Sequence, residues 1–122
     1  MTSDDLAAAY GFSQAVRAGD LLFCSGQIGE EPDGSVPGDP ARQYQLAFEA
    51  LRKVLEGHGL GRGDIVALTS FHVGYPQHMA EFSGAKAAFL GDARPAWTAI
   101  GVAALGHPET LVEVKAIARC AR

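Results

Sequence analysis

The segment DIVALTSFHVGY, residues 64–75, restricts the fold more than any other part of the chain. It alternates with the period of a strand, placing Ile65, Ala67, Thr69, Phe71 and Val73 on one face and Val66, Leu68, Ser70 and His72 on the other. Both sets are largely apolar, so the predicted strand has to be covered on both sides. A fold for this chain must therefore find two covers for one sheet.

The first cover is legible on either side of that strand. Asp39-Pro40 is a helix start: the aspartate can cap free amides of the first turn, and proline at the first helical position gives up no needed hydrogen bond. The helix runs over about 40–57, with Tyr44, Ala47, Phe48, Leu51, Val54 and Leu55 at three- and four-residue steps forming one apolar stripe. Arg42, Glu49, Arg52, Lys53 and Glu56 lie mostly away from it, and Gly57, Gly59 and Gly61 stop the helix. A second helix over about 77–90 presents Met79, Phe82, Ala85 and Phe89 before Gly91 ends it. Upstream, FSQAVRAGDLLFCSGQIG reads as two strands turning at Ala18-Gly19-Asp20, followed by an exposed loop, EEPDGSVPGDP. PAWTAIGVA and TLVEVKAIARC read as closing strands.

The predicted order is β-β-α-β-α-β-β, an α+β domain over residues 1–122 with a mixed sheet and two helices packed on one face. No helix remains for the other face. Symmetric self-association is the physical expectation for its cover.

Charge and motifs exclude several functions. With 10 Lys plus Arg scattered among 14 Asp plus Glu and a net charge of −4, no basic stripe is available for a phosphate backbone, so nucleic acid is an unlikely partner. No glycine-rich phosphate loop opens a helix, so no nucleotide cofactor is expected. Cys24 and Cys120 belong to no C-x-x-C pair, and His58, His72, His78 and His107 are spread over different elements, so neither a disulfide framework nor a metal site is expected. The N-terminus has no leader pattern and no stretch is long enough to span a bilayer, which reads as a cytoplasmic protein without membrane association.

Three places invite chemistry. Ser25 precedes Gly26, a pairing that lets a hydroxyl and nearby amides approach a ligand, or simply ends a strand. Glu113 lies opposite the face of Val112, Val114 and Ala116 and beside Lys115; it is either half of a solvated ion pair or, if the face is covered, a carboxyl tuned to orient water and relay protons. Trp97 is the only tryptophan and stands among small residues in RPAWTAIGVAAL. Elsewhere, His72 reads as a satisfied buried imidazole, His58 and His107 as solvated loop residues, and Cys24 as an inert apolar filler.

Taken together, GFSQAV, LFCSGQIG, GDIVALTSFHV, RPAWTAIGVAAL and LVEVKAIA resemble the YjgF/RidA family of imine deaminases, formerly labelled L-PSP endoribonucleases, over about residues 10–119. The resemblance implies a chorismate-mutase-like fold, a homotrimer, and a small metabolite bound in clefts between subunits, with no cofactor or metal. In that family an arginine grips the ligand carboxylate while a glutamate positions the attacking water. By the same resemblance Ser25 matches the cleft serine and Glu113 the water-orienting glutamate. The departures are Phe12 for a tyrosine, Ser83 for a helix asparagine and Ala99 for a cysteine; above all, the family's P-A-R-S begins here as Pro95-Ala96-Trp97-Thr98, so the arginine is Trp97.

An indole offers stacking area and one N–H donor but not two charge-assisted bonds, which argues against ordinary 2-imino acid deamination. Arg94 and Arg17 are the conceivable substitutes. The expected cleft then has Phe12 and Trp97 as walls, Ser83 and Thr98 beside the ligand, and Ser25 and Glu113 at the chemistry. Two rival readings stay open, a non-catalytic ligand-binding trimer and an endoribonuclease.

Overall fold

Left-handed backbone at Gly19, with φ 61°, turns the chain between β1 (Ala15–Ala18) and β2 (Leu21–Cys24), which pair antiparallel with Ala18 opposite Leu21. This is the hairpin that the Ala-Gly-Asp turn predicts. The computed structural model describes residues 3–120; Met1, Thr2, Ala121 and Arg122, the ends of the expected 1–122 domain, lie outside the described residues. Asp39 caps α2 (Pro40–Glu56) by accepting from the Ala41 amide at 3.2 Å, and Tyr44, Ala47, Phe48, Leu51 and Leu55 of the expected stripe are buried. Strand β4 (Ile65–Val73) leads to α3 (Met79–Leu90), whose Phe82 is buried while Met79, Ala85 and Phe89 pack partly buried against the core. Strands β5 (Ala96–Val102) and β6 (Val112–Arg119) close the chain.

The strands form one mixed sheet in the order β1-β2-β6-β4-β5, with β4 and β5 parallel and a short β3 (Gln27–Ile28) pairing with β6. Leu22 and Cys24 of β2, Val112, Val114, Ala116 and Ala118 of β6 and Leu68 of β4 form a continuous core with α2 and α3. Phe82 is its hub, meeting Tyr44 edge-on at 5.4 Å and Phe48 at 5.5 Å between ring centroids. On the opposite face Val16, Phe23 and Ile100 remain 56%, 43% and 39% exposed, so the chain itself supplies only one of the two covers.

The element order corrects the expectation in two places. A helix, α1 (Ser3–Tyr10), precedes the hairpin, and β3 follows it, giving α-β-β-β-α-β-α-β-β rather than β-β-α-β-α-β-β; α2 and α3 are the pair packed on the sheet core. SDDLAAAY is too short and too weakly amphipathic to announce a helix. Local contacts tether it: the Phe12 amide donates to the Ala7 carbonyl at 3.0 Å, and Gln14 Nε2 to Asp4 Oδ1 at 3.4 Å. A one-turn 3₁₀ helix, Arg62–Asp64, also stands before β4.

A third correction concerns β4, whose pairing with β6 shifts between Ile65 and Ala67. That irregularity brings Ile65 into the core with Leu68, Ser70 and His72 instead of onto the face of Ala67, and leaves Val66 exposed. Simple alternation cannot foresee it, because every residue concerned is apolar.

Buried Gln43 joins the start of α2 to two loops. Its Nε2 donates to the Pro37 and Glu109 carbonyls at 2.8 and 2.9 Å, and its Oε1 accepts from the Leu111 amide at 2.8 Å. Gly29 lies against the same residue: a β-carbon there would stand 2.3 Å from the Gln43 carbonyl oxygen. Because that neighbour is helical backbone and cannot yield, Gly29→Ala is expected to destabilise the fold by about 1–3 kcal/mol. Thermal or urea denaturation measures this, and an unchanged midpoint would contradict the close approach.

Candidate functional site

On β6, Val112, Val114 and Ala116 enter the core, so the alternating Glu113 stands on the open face, paired across the sheet with Phe71 and Ile28. A carboxylate there would ordinarily be well solvated. The backbone beside it changes this. Between the pairs Phe23–Ile117 and Gln27–Val114, the three residues Cys24, Ser25 and Gly26 lie opposite only Lys115 and Ala116, and the resulting bulge runs under the carboxyl. A β-carbon on Gly26 would fall 2.0 Å from Glu113 Oε2, so the carboxyl packs directly on the glycine and would have to shift for any side chain there. Glu113 is half-buried, and burial pushes its pKa above the ordinary carboxylate range while the Lys115 charge pulls it down. Among the described residues the two form no ion pair, so the solvated pair that their spacing allows is not what the chain builds.

Ser25 is fixed from both ends: its amide donates to the Gln14 carbonyl at 2.8 Å and its hydroxyl to the Ser13 carbonyl at 2.6 Å. With its one proton spent, Oγ offers a ligand only lone pairs. Ser25, Gly26 and Glu113 share a depression of about 670 Å³ with Phe12, Tyr10 and His107. The sequence assigns His107 to a solvated loop, yet it is half-buried and lines this depression. Its Nδ1 accepts from the Glu109 amide at 3.1 Å, so in the neutral ring Nε2 carries the proton. Cys24, just behind, is inert as expected: burial, then neighbouring Cys120, pushes its thiol up to about 11.

Trp97 lies elsewhere. It pairs with Leu68 in the parallel β4–β5 ladder and therefore faces the helices, the opposite side of the sheet from Glu113. Its Nε1–H donates to Ser70 Oγ at 2.9 Å, and Ser70 Oγ is 2.8 Å from His72 Nε2. Ser70 Oγ thus accepts from the indole and shares a second hydrogen bond with His72 Nε2. His72 is thus the satisfied buried imidazole its strand position suggests, with burial lowering its pKa. The Trp97 ring stacks toward Phe82 at 6.2 Å, and Lys86 Nζ sits 3.9 Å from its centroid.

One chain therefore brings together Ser25, Phe12 and Glu113 but not the remaining candidates. Ser83 is exposed on α3 in a smaller cavity with Lys86 and Arg94. Thr98 pairs with Thr69 on the face opposite Trp97. Arg17 donates to the Gly19 carbonyl of the hairpin at 3.0 Å, so of the two arginines named from sequence only Arg94 lines a cavity near Trp97. Lys86 and His107 escape the sequence reading because each acquires its setting from a tertiary contact. Among the described residues no group of three or more His, Cys, Asp or Glu could hold a metal ion, and no described helix is long and apolar enough to cross a membrane.

Comparison with known proteins assigns the family. The sequence profile of Endoribonuclease L-PSP matches residues 2–120. The chain belongs to the YjgF/RidA (L-PSP) family. The RutC family protein YjgH of Escherichia coli K12 is 38% identical over 115 residues, covering 93% of this chain and 86% of that protein. A solved structure of protein YjgH superposes with a TM-score of 0.87 at 37% identity, covering 99% and 91% of the two chains. The 2-iminobutanoate/2-iminopropanoate deaminase of E. coli K12 is 36% identical over 73 residues, 58% of this chain and 57% of that one. These YjgF/RidA relatives match the α+β architecture and tie the chain to a family with deaminase members.

The Glu113 environment makes stability depend on pH in a definite direction. A carboxyl whose folded pKa is raised stabilises the fold below its unfolded value and loses that contribution as pH rises through the folded one. Glu113→Gln should therefore raise Tm relative to the parent near pH 7, and the difference should shrink toward pH 4. A Tm difference that is flat with pH would contradict the burial.

Proposed function

We propose that this chain is a homotrimeric member of the family that hydrolyses a small imine- or enamine-bearing metabolite in clefts between subunits. The half-buried carboxyl of Glu113, packed on Gly26 beside Ser25, carries this reading. As water adds its oxygen to the C=N carbon, Glu113 takes one proton from it and passes that proton to nitrogen; carrying the second proton from the new hydroxyl to nitrogen in the same way lets the C–N bond break, releasing ammonia and leaving a carbonyl. A carboxylate of raised pKa is the stronger base for the first step and the available acid for the second. Ser25 Oγ, limited to accepting, suits the N–H of an imine or iminium rather than a carboxylate. The kinship with deaminases of 2-iminobutanoate supports the reaction class.

The exposed Val16, Phe23 and Ile100 support a partner subunit on the open face. In this reading Ser25, Phe12 and Glu113 of one subunit meet Trp97, Ser83 and Thr98 of the next, with Trp97 standing where active relatives keep an arginine. Trp97 then contributes the surface of its ring, since its N–H is committed to Ser70. That commitment, with the spent Ser25 proton, favours a second reading in which the trimer binds a ligand without turning it over. Ribonuclease chemistry fits least, because the depression is lined by the acidic side chains of Glu30 and Glu113 and, among the described residues, by no lysine or arginine to hold phosphate.

Ammonia release from 2-iminobutanoate, generated in place by an amino-acid oxidase acting on 2-aminobutyrate, tests the proposal. Glu113→Gln is expected to lower kcat by about 100-fold or more. Unchanged turnover in that variant would refute the role of Glu113, and a ligand-induced rise in Tm without ammonia release would establish the binding-only reading.

A further inference from the structure

We infer that the cavity between α3 and the start of β5 is an anion subsite with Lys86 as its anchoring cation, and that the ligand carries a small carboxylate there. This rests on the reading above in taking the ligand to be a small metabolite. The cavity holds about 200 Å³ and is lined by Ser83, Lys86 and Arg94 with the backbone turn at Gly91 and Pro95. That is below the roughly 300–1,000 Å³ of pockets that enclose a whole drug-sized ligand, so it suits one charged group of a ligand whose remainder lies outside. It sits beside β5, one of the two edge strands of the sheet.

The charge in this cavity runs against that of the molecule. The chain carries a net charge of −4, yet two cations and a hydroxyl line one small space, and among the described residues neither Lys86 nor Arg94 forms an ion pair. Lys86 is also held in place. Its ammonium lies 3.9 Å from the Trp97 ring centroid, and the ring is itself fixed by the 2.9 Å bond to Ser70 and by Phe82. A lysine stem is normally among the costliest side chains to order; here the indole orders it before any ligand arrives. Attraction to the ring face consumes none of the three N–H donors. Ser83, one turn earlier on α3, adds a hydroxyl, and the exposed Arg94 adds a planar fork at the rim. Trp97 is in this account a positioning residue: it carries no ligand bond and holds the cation that does.

The sole tryptophan makes the test direct, because Trp97 emission reports on the ammonium lying over it. The parent protein is titrated with 2-oxobutanoate and with the neutral 2-oxobutanamide at low and high salt. The expected result is a saturable emission change for the carboxylate, weakened by salt, and at least tenfold weaker binding of the amide. Lys86→Met, with fold and assembly checked by circular dichroism and gel filtration, should lose affinity for 2-oxobutanoate tenfold or more, and Lys86→Arg should recover most of it. Equal affinity for acid and amide, or no saturable response in the parent, overturns the inference even if the Lys86 variants fail to fold. Undiminished carboxylate affinity in Lys86→Met overturns it as well. If Glu113→Gln abolishes ammonia release while Lys86→Met binds normally, the anchor is wrong and the reaction stands. If the parent releases no ammonia yet binds 2-oxobutanoate through Lys86, the reaction is wrong and the anchor stands.

Discussion

Strand β6 is shared by three neighbours, β2, β3 and β4, and its alternation fixes where everything else can be. Val112, Val114, Ala116 and Ala118 go under the helices, so Glu113, Lys115, Ile117 and Arg119 must go the other way. A slip of one residue would drive two or three charged groups into the core beneath α2, a cost far beyond what other pairings could return. The register is therefore strongly specified. The placement of Glu113 follows from the burial of its neighbours rather than from any contact of its own.

How far the sequence could be read depended on whether a signal was local. The Asp39-Pro40 cap, the Gly19 turn and the three-four spacing of Tyr44 to Leu55 are local chemistry, and the chain folds as they indicate. By contrast α1 is too short and weakly amphipathic to announce itself, while β3 and the irregularity at Ile65–Ala67 depend on tertiary partners, and none leaves a periodic trace. The same divide runs through the site. Alternation identifies Glu113 as the charged residue on a face that needs cover, but not that Gly26 would lie against its carboxyl. Nor could sequence order tell that Trp97 and Glu113 occupy opposite faces of one sheet, because β5 joins the ladder in parallel through β4.

Trp97, Ser70 and His72 form a chain of hydrogen bonds beside the hub ring Phe82. The indole N–H donates to Ser70 Oγ, which keeps its own proton and a further lone pair for His72, so this polar set sits beside the core without a conflict of roles. Ser70 and His72, each costly to bury alone, thereby become compatible with the helix-covered face. Phe82 touches both systems, the aromatic core through Tyr44 and Phe48 and the polar chain through His72 and Trp97. Core packing and the setting of Lys86 are consequently not independent.

Gln43 carries a consequence for how the depression behaves. One amide moors Pro37, Glu109 and Leu111 to the first turn of α2, and Glu109 in turn holds the His107 ring. The rim bearing His107 is thus an extension of the helix scaffold and moves with it. The wall of the depression on that side is therefore set by the same packing that sets the helix, and its shape is decided when the chain folds.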